Sequence, residues 1–207
     1  MNVESYFLRL AARQSQQVYC MDGPSDSAMQ RYYPIAHESD VGWVLVRQET
    51  PHIVIPVAGT NDGDDLVDDV RFIPARVPGL GWCHRGFGWD AKALAEIVQQ
   101  VMPAPTAEGH ILVTGHSRGG SIALGVAWLL VAAGYRVRCV TFGAARLWFR
   151  WPRRRLNWAA HVCGDRDPIP WTPKLTCQPN PGNRIRVRSG HAMREYMAAA
   201  MRYPKGS

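Results

Sequence analysis

Eight residues constrain this chain more than any other stretch: residues 113–120 read Val-Thr-Gly-His-Ser-Arg-Gly-Gly. An apolar run, Ile111, Leu112 and Val113, precedes the Gly-x-Ser-x-Gly pentapeptide, and a longer apolar run over residues 122–134 follows it. That pattern reads as a strand, a sharp turn and a helix. A serine at such a turn is held in strained backbone with its hydroxyl lifted above the sheet. Glycines flank it because strand and helix approach too closely there for side chains. Ser117 is therefore the candidate nucleophile. The run over 122–134 is too short to span a bilayer and belongs in the core beneath the serine.

The pentapeptide alone is weak evidence, and the residues beyond it carry the argument further. Where such a turn serves a hydrolytic triad, the chain order is serine, acid, histidine. After Ser117 the chain holds two aspartates, Asp165 and Asp167, one glutamate, Glu195, and two histidines, His161 and His191. Glu195 has no histidine after it, and His161 precedes both aspartates. The order rule leaves Ser117, either Asp165 or Asp167, and His191.

With 207 residues, 46% of them apolar, the chain is long enough for one full core, and residues 1–207 are expected to form a single domain. The coarse pattern is a leading helix over 3–19, a loop to about residue 40, and strands over 42–46 and 52–56. A turn region over 59–69 and a Pro/Gly-rich stretch to Gly86 follow, then a helix over 91–101. After the serine turn come strands over 138–142, 158–163 and 184–187, and a closing helix over 191–201. Strands alternating with helices imply an α/β fold, with a mostly parallel central sheet flanked by helices.

Residues 1–19 place Val3, Tyr6, Phe7, Leu10 and Ala11 at helical spacing and lack the basic start and continuous apolar core of a secretory leader. The expectation is a cytoplasmic protein, or one released by another route, with no transmembrane segment. The five cysteines, Cys20, Cys83, Cys139, Cys163 and Cys177, show neither disulfide-framework nor zinc-site spacing. Cys139 and Cys163 read as core residues, while Cys177, in a Pro- and Asn-rich loop, reads as open to solvent.

Charge is unevenly placed: residues 1–100 carry 8 Lys+Arg against 13 Asp+Glu, and residues 101–207 carry 16 against 4. The densest basic stretch lies within 148–158, where Arg150, Arg153, Arg154 and Arg155 alternate with Trp148, Trp151 and Trp158. Arginine beside tryptophan suits an anionic membrane surface, because the cation attracts phosphate while the indole inserts at the interface. The plainer reading is a solvated loop whose tryptophans fold back onto the core. Nucleic acid is the least favoured partner.

Taken in order, these segments resemble the class 3 lipases, a fungal-lipase-like branch of the α/β-hydrolases. The resemblance covers most of residues 53–195. Val57-Ala58-Gly59-Thr60 is similar to the family's oxyanion strand end, and His84-Arg85-Gly86-Phe87 to the His-x-Gly-Phe element after it. Then come the serine turn, Thr141-Phe142-Gly143-Ala144-Ala145-Arg146, Asp167-Pro168-Ile169-Pro170 and the late His191. By resemblance the acid is the aspartate directly before Pro-x-Pro, which selects Asp167. The resemblance further implies an oxyanion hole from Thr60 together with the backbone N–H of Arg118, the residue after the nucleophile. Asp69, nine residues on, would orient the Thr60 hydroxyl. Ala58 departs from the arginine common in the family before Gly-Thr.

Residues 61–68, Asn-Asp-Gly-Asp-Asp-Leu-Val-Asp, correspond to the family's lid and form a short polar lid-like segment. Only Leu66 and Val67 are apolar there, so no interfacial activation is expected. The acidic cluster fails the spacing of a calcium loop, and neither metal nor cofactor is expected. His116 reads as a residue packing or hydrogen-bonding beneath the turn. His161 reads as a satisfied core or edge histidine. His84, Gly86 and Phe87 read as supports for the passage from strand to helix.

Together these features imply a serine carboxylester hydrolase, a lipase or esterase acting on acylglycerols, phospholipids or simpler esters through an acyl-enzyme. The alternative is a catalytically silent protein of the same fold that binds lipid or anionic surfaces.

Overall fold

Five strands run in parallel at the centre of the protein because the chain returns to the same end of the sheet before each new strand begins. In the computed structural model the described residues are 3–19, 30–35, 42–49, 52–59, 73–102, 110–150, 156, 158–173 and 177–203. Helix α1 (Val3–Tyr19) leads into β1 (Gln30–Ile35), β2 (Gly42–Glu49) and β3 (His52–Val57). A separate hairpin follows, β4 (Pro74–Val77) and β5 (Gly81–His84), and then α2 (Arg85–Val101). The chain continues through β6 (Ile111–His116), α3 (Ser117–Ala132), β7 (Val137–Phe142) and β8 (Trp158–Gly164). A 3-10 turn (Ile169–Trp171), β9 (Asn183–Val187) and α4 (Met193–Arg202) complete it. The sheet order is β1-β2-β3-β6-β7-β8-β9; β1 and β2 pair antiparallel, and the strands from β3 onward pair parallel.

Alternation along each parallel strand divides the core. Ile55, Val57, Ile111, Val113, Val137 and Cys139 face one cluster with Leu94, Val98, Leu124 and Leu130 of α2 and α3. Val54, Leu112, Val140, Phe142 and Val162 face the other, closed by Phe7, Leu8, Ala11 and Ala12 of α1 and by Met193, Tyr196 and Ala200 of α4. Buried on both faces along β3, β6, β7 and β8, the sheet belongs to one α/β domain, as the strand–helix alternation implies. No helix among the described residues is long and apolar enough to cross a membrane.

The structure corrects the sequence reading in several places. The stretch to residue 40 read as loop contains β1, paired residue by residue with β2. Pro34 is tolerated there because β1 is an edge strand. The Pro/Gly-rich stretch contains the β4–β5 hairpin, whose turn uses Gly79 and Gly81 at positive φ. Helix α2 starts at Arg85 rather than 91, since His84 Nδ1 accepts the backbone N–H of Phe87 and its ring stacks on Phe87. Cys177 is 5% exposed rather than open, and burial pushes its thiol up to about 12. Trp148 is fully buried, its indole N–H donating to the carbonyl of Leu80.

Candidate active site

Strand β6 ends at His116 and α3 begins at Ser117, so the chain reverses within a single residue. Ser117 bears the strain, with φ at 54°, and it is the one non-glycine residue with positive φ among those described. The flanking glycines are required by space. A Cβ on Gly115 would lie 2.4 Å from the carbonyl oxygen of Gly119, and one on Gly119 would lie 2.5 Å from that of Val57. Helix α3 thereby packs its first turn directly against the end of β3. The N-cap residue His116 makes no side-chain hydrogen bond to that turn, which carries the N-terminal backbone N–H groups of the helix, Arg118's among them.

Two loops at the same end of the sheet bring in the partners. Asp167 follows β8, and His191 lies between β9 and α4. Ser117 Oγ is 2.9 Å from His191 Nε2, and His191 Nδ1 is 2.8 Å from Asp167 Oδ2. Ser117 and Asp167 are each 2% exposed, whereas the His191 side chain is 26% exposed, so the histidine forms the open side of the row. Asp165 points elsewhere: its Oδ1 accepts the backbone N–H of Ser189 and lies 3.9 Å from Arg166.

Burial alone would push the Asp167 carboxyl up. Hydrogen bonds from His191, from the Tyr196 hydroxyl and from the Ile169 backbone N–H outweigh it and hold the carboxyl below its ordinary range. An ionised Asp167 accepting at Oδ2 places the His191 proton on Nδ1 and leaves Nε2 to accept from the Ser117 hydroxyl. Tyr196 keeps its proton, since burial and then Asp167 push its hydroxyl up. His116 lies beneath: its Nε2–H donates to the His191 carbonyl at 2.6 Å, and its ring centroid is 4.7 Å from that of His191. Burial, then the neighbouring His191, lowers His116 to about 4, so it adds no charge at neutral pH.

The Arg118 guanidinium turns away from the row to pair with Asp90 of α2 at 2.9 Å, both side chains being buried. Thr60, Asp69, the 61–68 segment, Trp151 and Arg153 to Arg155 lie outside the described residues, while Arg150 is described and exposed. His161 sits in the core between the Thr141 hydroxyl and the Pro181 carbonyl. Among the described residues no three His, Cys, Asp or Glu side chains gather as metal ligands.

Sequence reasoning missed Tyr196, Asp90 and Gly143. Tyr196 and Asp90 sit on amphipathic helices and carry no local signal. Gly143, in the Phe-Gly step after β7, has φ at 56°, and a Cβ there would lie 2.6 Å from Asp167 Oδ2. The positive φ could have been suspected from a glycine closing a strand.

The family model described as Lipase (class 3) matches residues 54–176. In structure the chain is similar to a lipase from Rhizopus microsporus var. chinensis, at 19% identity and a TM-score of 0.63, over 90% of this chain and 73% of that one. It is similar to the Lip2 lipase of Yarrowia lipolytica at 18% identity and a TM-score of 0.65, over 90% and 80%. It is also similar to the Rhizomucor miehei lipase in its propeptide complex at 18% identity and a TM-score of 0.64, over 88% and 67%. No curated protein matches the chain. At these identities the structural likeness speaks for the fold.

Proposed function

Because this chain belongs to the class 3 lipase family of carboxylic ester hydrolases on the α/β-hydrolase fold, we propose that it cleaves acyl esters of lipids through Ser117, His191 and Asp167. The observation that carries the reading is the unbroken hydrogen-bonded row from Ser117 Oγ through His191 to Asp167 Oδ2. His191 Nε2 takes the Ser117 proton as Oγ attacks the ester carbonyl carbon. The tetrahedral adduct collapses as Nε2–H gives that proton to the departing alcohol. Water then enters, loses a proton to Nε2 and attacks the acyl-enzyme; collapse returns the proton to Ser117 Oγ and releases the acid. Asp167 holds the imidazole in the tautomer required and stabilises its charged form throughout.

Negative charge forming on the carbonyl oxygen calls for donors already aimed at it, and one such donor is worth roughly 3 kcal/mol. The Arg118 backbone N–H at the start of α3 supplies one donor in this reading, and Thr60, oriented by Asp69, supplies the other. Arg118's side chain has a different part: its pair with Asp90 ties α2 to the turn that carries the serine.

The substrate reading is an acylglycerol, a phospholipid or a simpler ester. Hydrolysis of chromogenic esters from two-carbon to sixteen-carbon acyl chains, by the parent protein and by Ser117→Ala, tests it. The expected outcome is turnover by the parent and a loss of about 10⁴-fold or more in the variant, with the preferred chain length separating esterase from lipase. If the folded parent leaves every ester and a dispersed phospholipid intact, the silent lipid-binding alternative replaces this reading.

A further inference from the structure

Three large apolar side chains stand out into solvent among the described residues: Ile73 at 54%, Trp82 at 50% and Phe149 at 49%. Trp82 lies on β5, Phe149 follows the residue bridged to it, and Ile73 directly precedes β4. The β4–β5 hairpin pairs Arg76 with Trp82, and segment 148–150 adds along the other side of β5 through the Cys83–Trp148 bridge. His84 N–H donates to the Leu147 carbonyl and Phe149 N–H to the Trp82 carbonyl, which extends this pairing. Cys83 and Trp148 point inward and are fully buried. Their neighbours Trp82 and Phe149 therefore face outward as a cross-strand pair, and Arg76 continues the row on the same face. Ile73 begins the hairpin, its carbonyl accepting the N–H of Arg85.

Among the described residues, arginines flank this row. Arg76, Arg85 and Arg150 are exposed around it. Residues 70–89 contain no acidic residue, nor do residues 109–164, and Arg153, Arg154 and Arg155 follow directly in the chain. Two half-exposed aromatic rings on a hydrogen-bonded scaffold are not a loop that failed to fold inward: Trp148, one residue from Phe149, is buried with its indole N–H satisfied. Indole and phenyl rings in a rim of arginine match the headgroup level of a bilayer, where rings insert below the phosphates and guanidinium groups bind them.

We propose that the face formed by Arg76, Trp82 and Phe149, with the exposed Ile73 and Arg150 beside it, is a docking surface for anionic phospholipid bilayers, separate from the Ser117 site. It goes beyond the hydrolase reading, and the two stand or fall separately: turnover of a dissolved ester reports one, vesicle binding the other.

The test is co-sedimentation of the full chain with vesicles of phosphatidylcholine alone and of phosphatidylcholine mixed with phosphatidylglycerol in equal parts. The parent binds the mixed vesicles, more weakly as salt rises. The double change Trp82→Ser with Phe149→Ser lowers partitioning about tenfold or more, and Arg76→Gln with Arg150→Gln lowers it by about fivefold per arginine. Both pairs hydrolyse dissolved short-chain ester at the parent rate. A charge control is Arg184→Gln with Arg186→Gln on the edge strand β9, where the two guanidinium groups stack over Trp171 at 4.7 and 5.8 Å. That pair keeps binding within about twofold of the parent. Equal binding to both vesicle types, retained binding in the aromatic pair, or an equal loss in the β9 pair overturns the proposal. So does a parent that forms a dimer in solution and is made monomeric by the aromatic pair, because the face would then be covered by a second copy.

Discussion

The Tyr196 hydroxyl donates to Oδ2 of Asp167 at 2.5 Å, onto the same oxygen that His191 Nδ1 reaches at 2.8 Å. It also accepts the backbone N–H of Gly164. One phenol on α4 thus ties the aspartate to the end of β8 and shares the negative charge that faces the imidazole.

Tyr196→Phe removes that shared donor and leaves the Gly164 N–H without this acceptor. The expected outcome is a fall of about tenfold in kcat with KM unchanged, alongside a stability loss of about 1–2 kcal/mol. The acid limb of kcat/KM moves to higher pH, because a carboxylate with one donor fewer is more basic. Steady-state kinetics across pH together with urea unfolding check it. A purely structural Tyr196 would lower the unfolding midpoint and leave kcat and the acid limb in place.

Ser117 holds a left-handed conformation at a conformational cost of about 1 kcal/mol. Ser117→Gly and Ser117→Ala both remove the hydroxyl and are expected to be inactive. They differ in stability: the glycine variant unfolds about 1 kcal/mol harder than the alanine variant, since only glycine accepts that backbone without strain. Thermal or urea unfolding of the two proteins side by side reads the difference, and an alanine variant as stable as the glycine one would show that the turn is unstrained.

Acid weakens the fold in two stages. His116 and His161 are buried and lowered from an ordinary 6.5 to about 4, chiefly by burial. The unfolded chain then binds more protons than the folded one below 6.5. Their stabilisation is whole above about 6.5 and is lost as pH falls from there toward 4. Asp167 is depressed in the folded state, so its contribution is present above the ordinary carboxyl value and disappears as pH falls through its folded value. Urea midpoints measured across this range are expected to fall below pH 6.5. His161→Gln makes the first stage shallower, and an unchanged slope would remove His161 from the account.

The serine turn was legible because its cause is local. Gly115, Ser117 and Gly119 sit within five residues, and the contacts that demand glycine there come from the strand and helix that the same residues begin. His84 was legible for a related reason: its ring caps and stacks three residues ahead, at Phe87. Chain order alone did not separate Asp165 from Asp167; only the resemblance to the class 3 lipases selected Asp167. The two are separated by one residue in a turn, and only the packing of α4 and the loop after β9 sets one against His191 and the other against the Ser189 backbone.

By itself the sequence determined the strand–turn–helix at Ser117, the α/β alternation and the order in which serine, acid and histidine occur, because spacing, backbone geometry and chain order are properties of a linear string. The tertiary structure decided which groups meet. It set Tyr196 on Asp167 and Asp90 on Arg118, made a strand of residues 30–35 by pairing them with β2, and turned Trp82 outward while Trp148 turned in. Each of these depends on the burial and hydrogen bonding of residues remote in the chain, and no local preference of a residue encodes which distant partner will satisfy it.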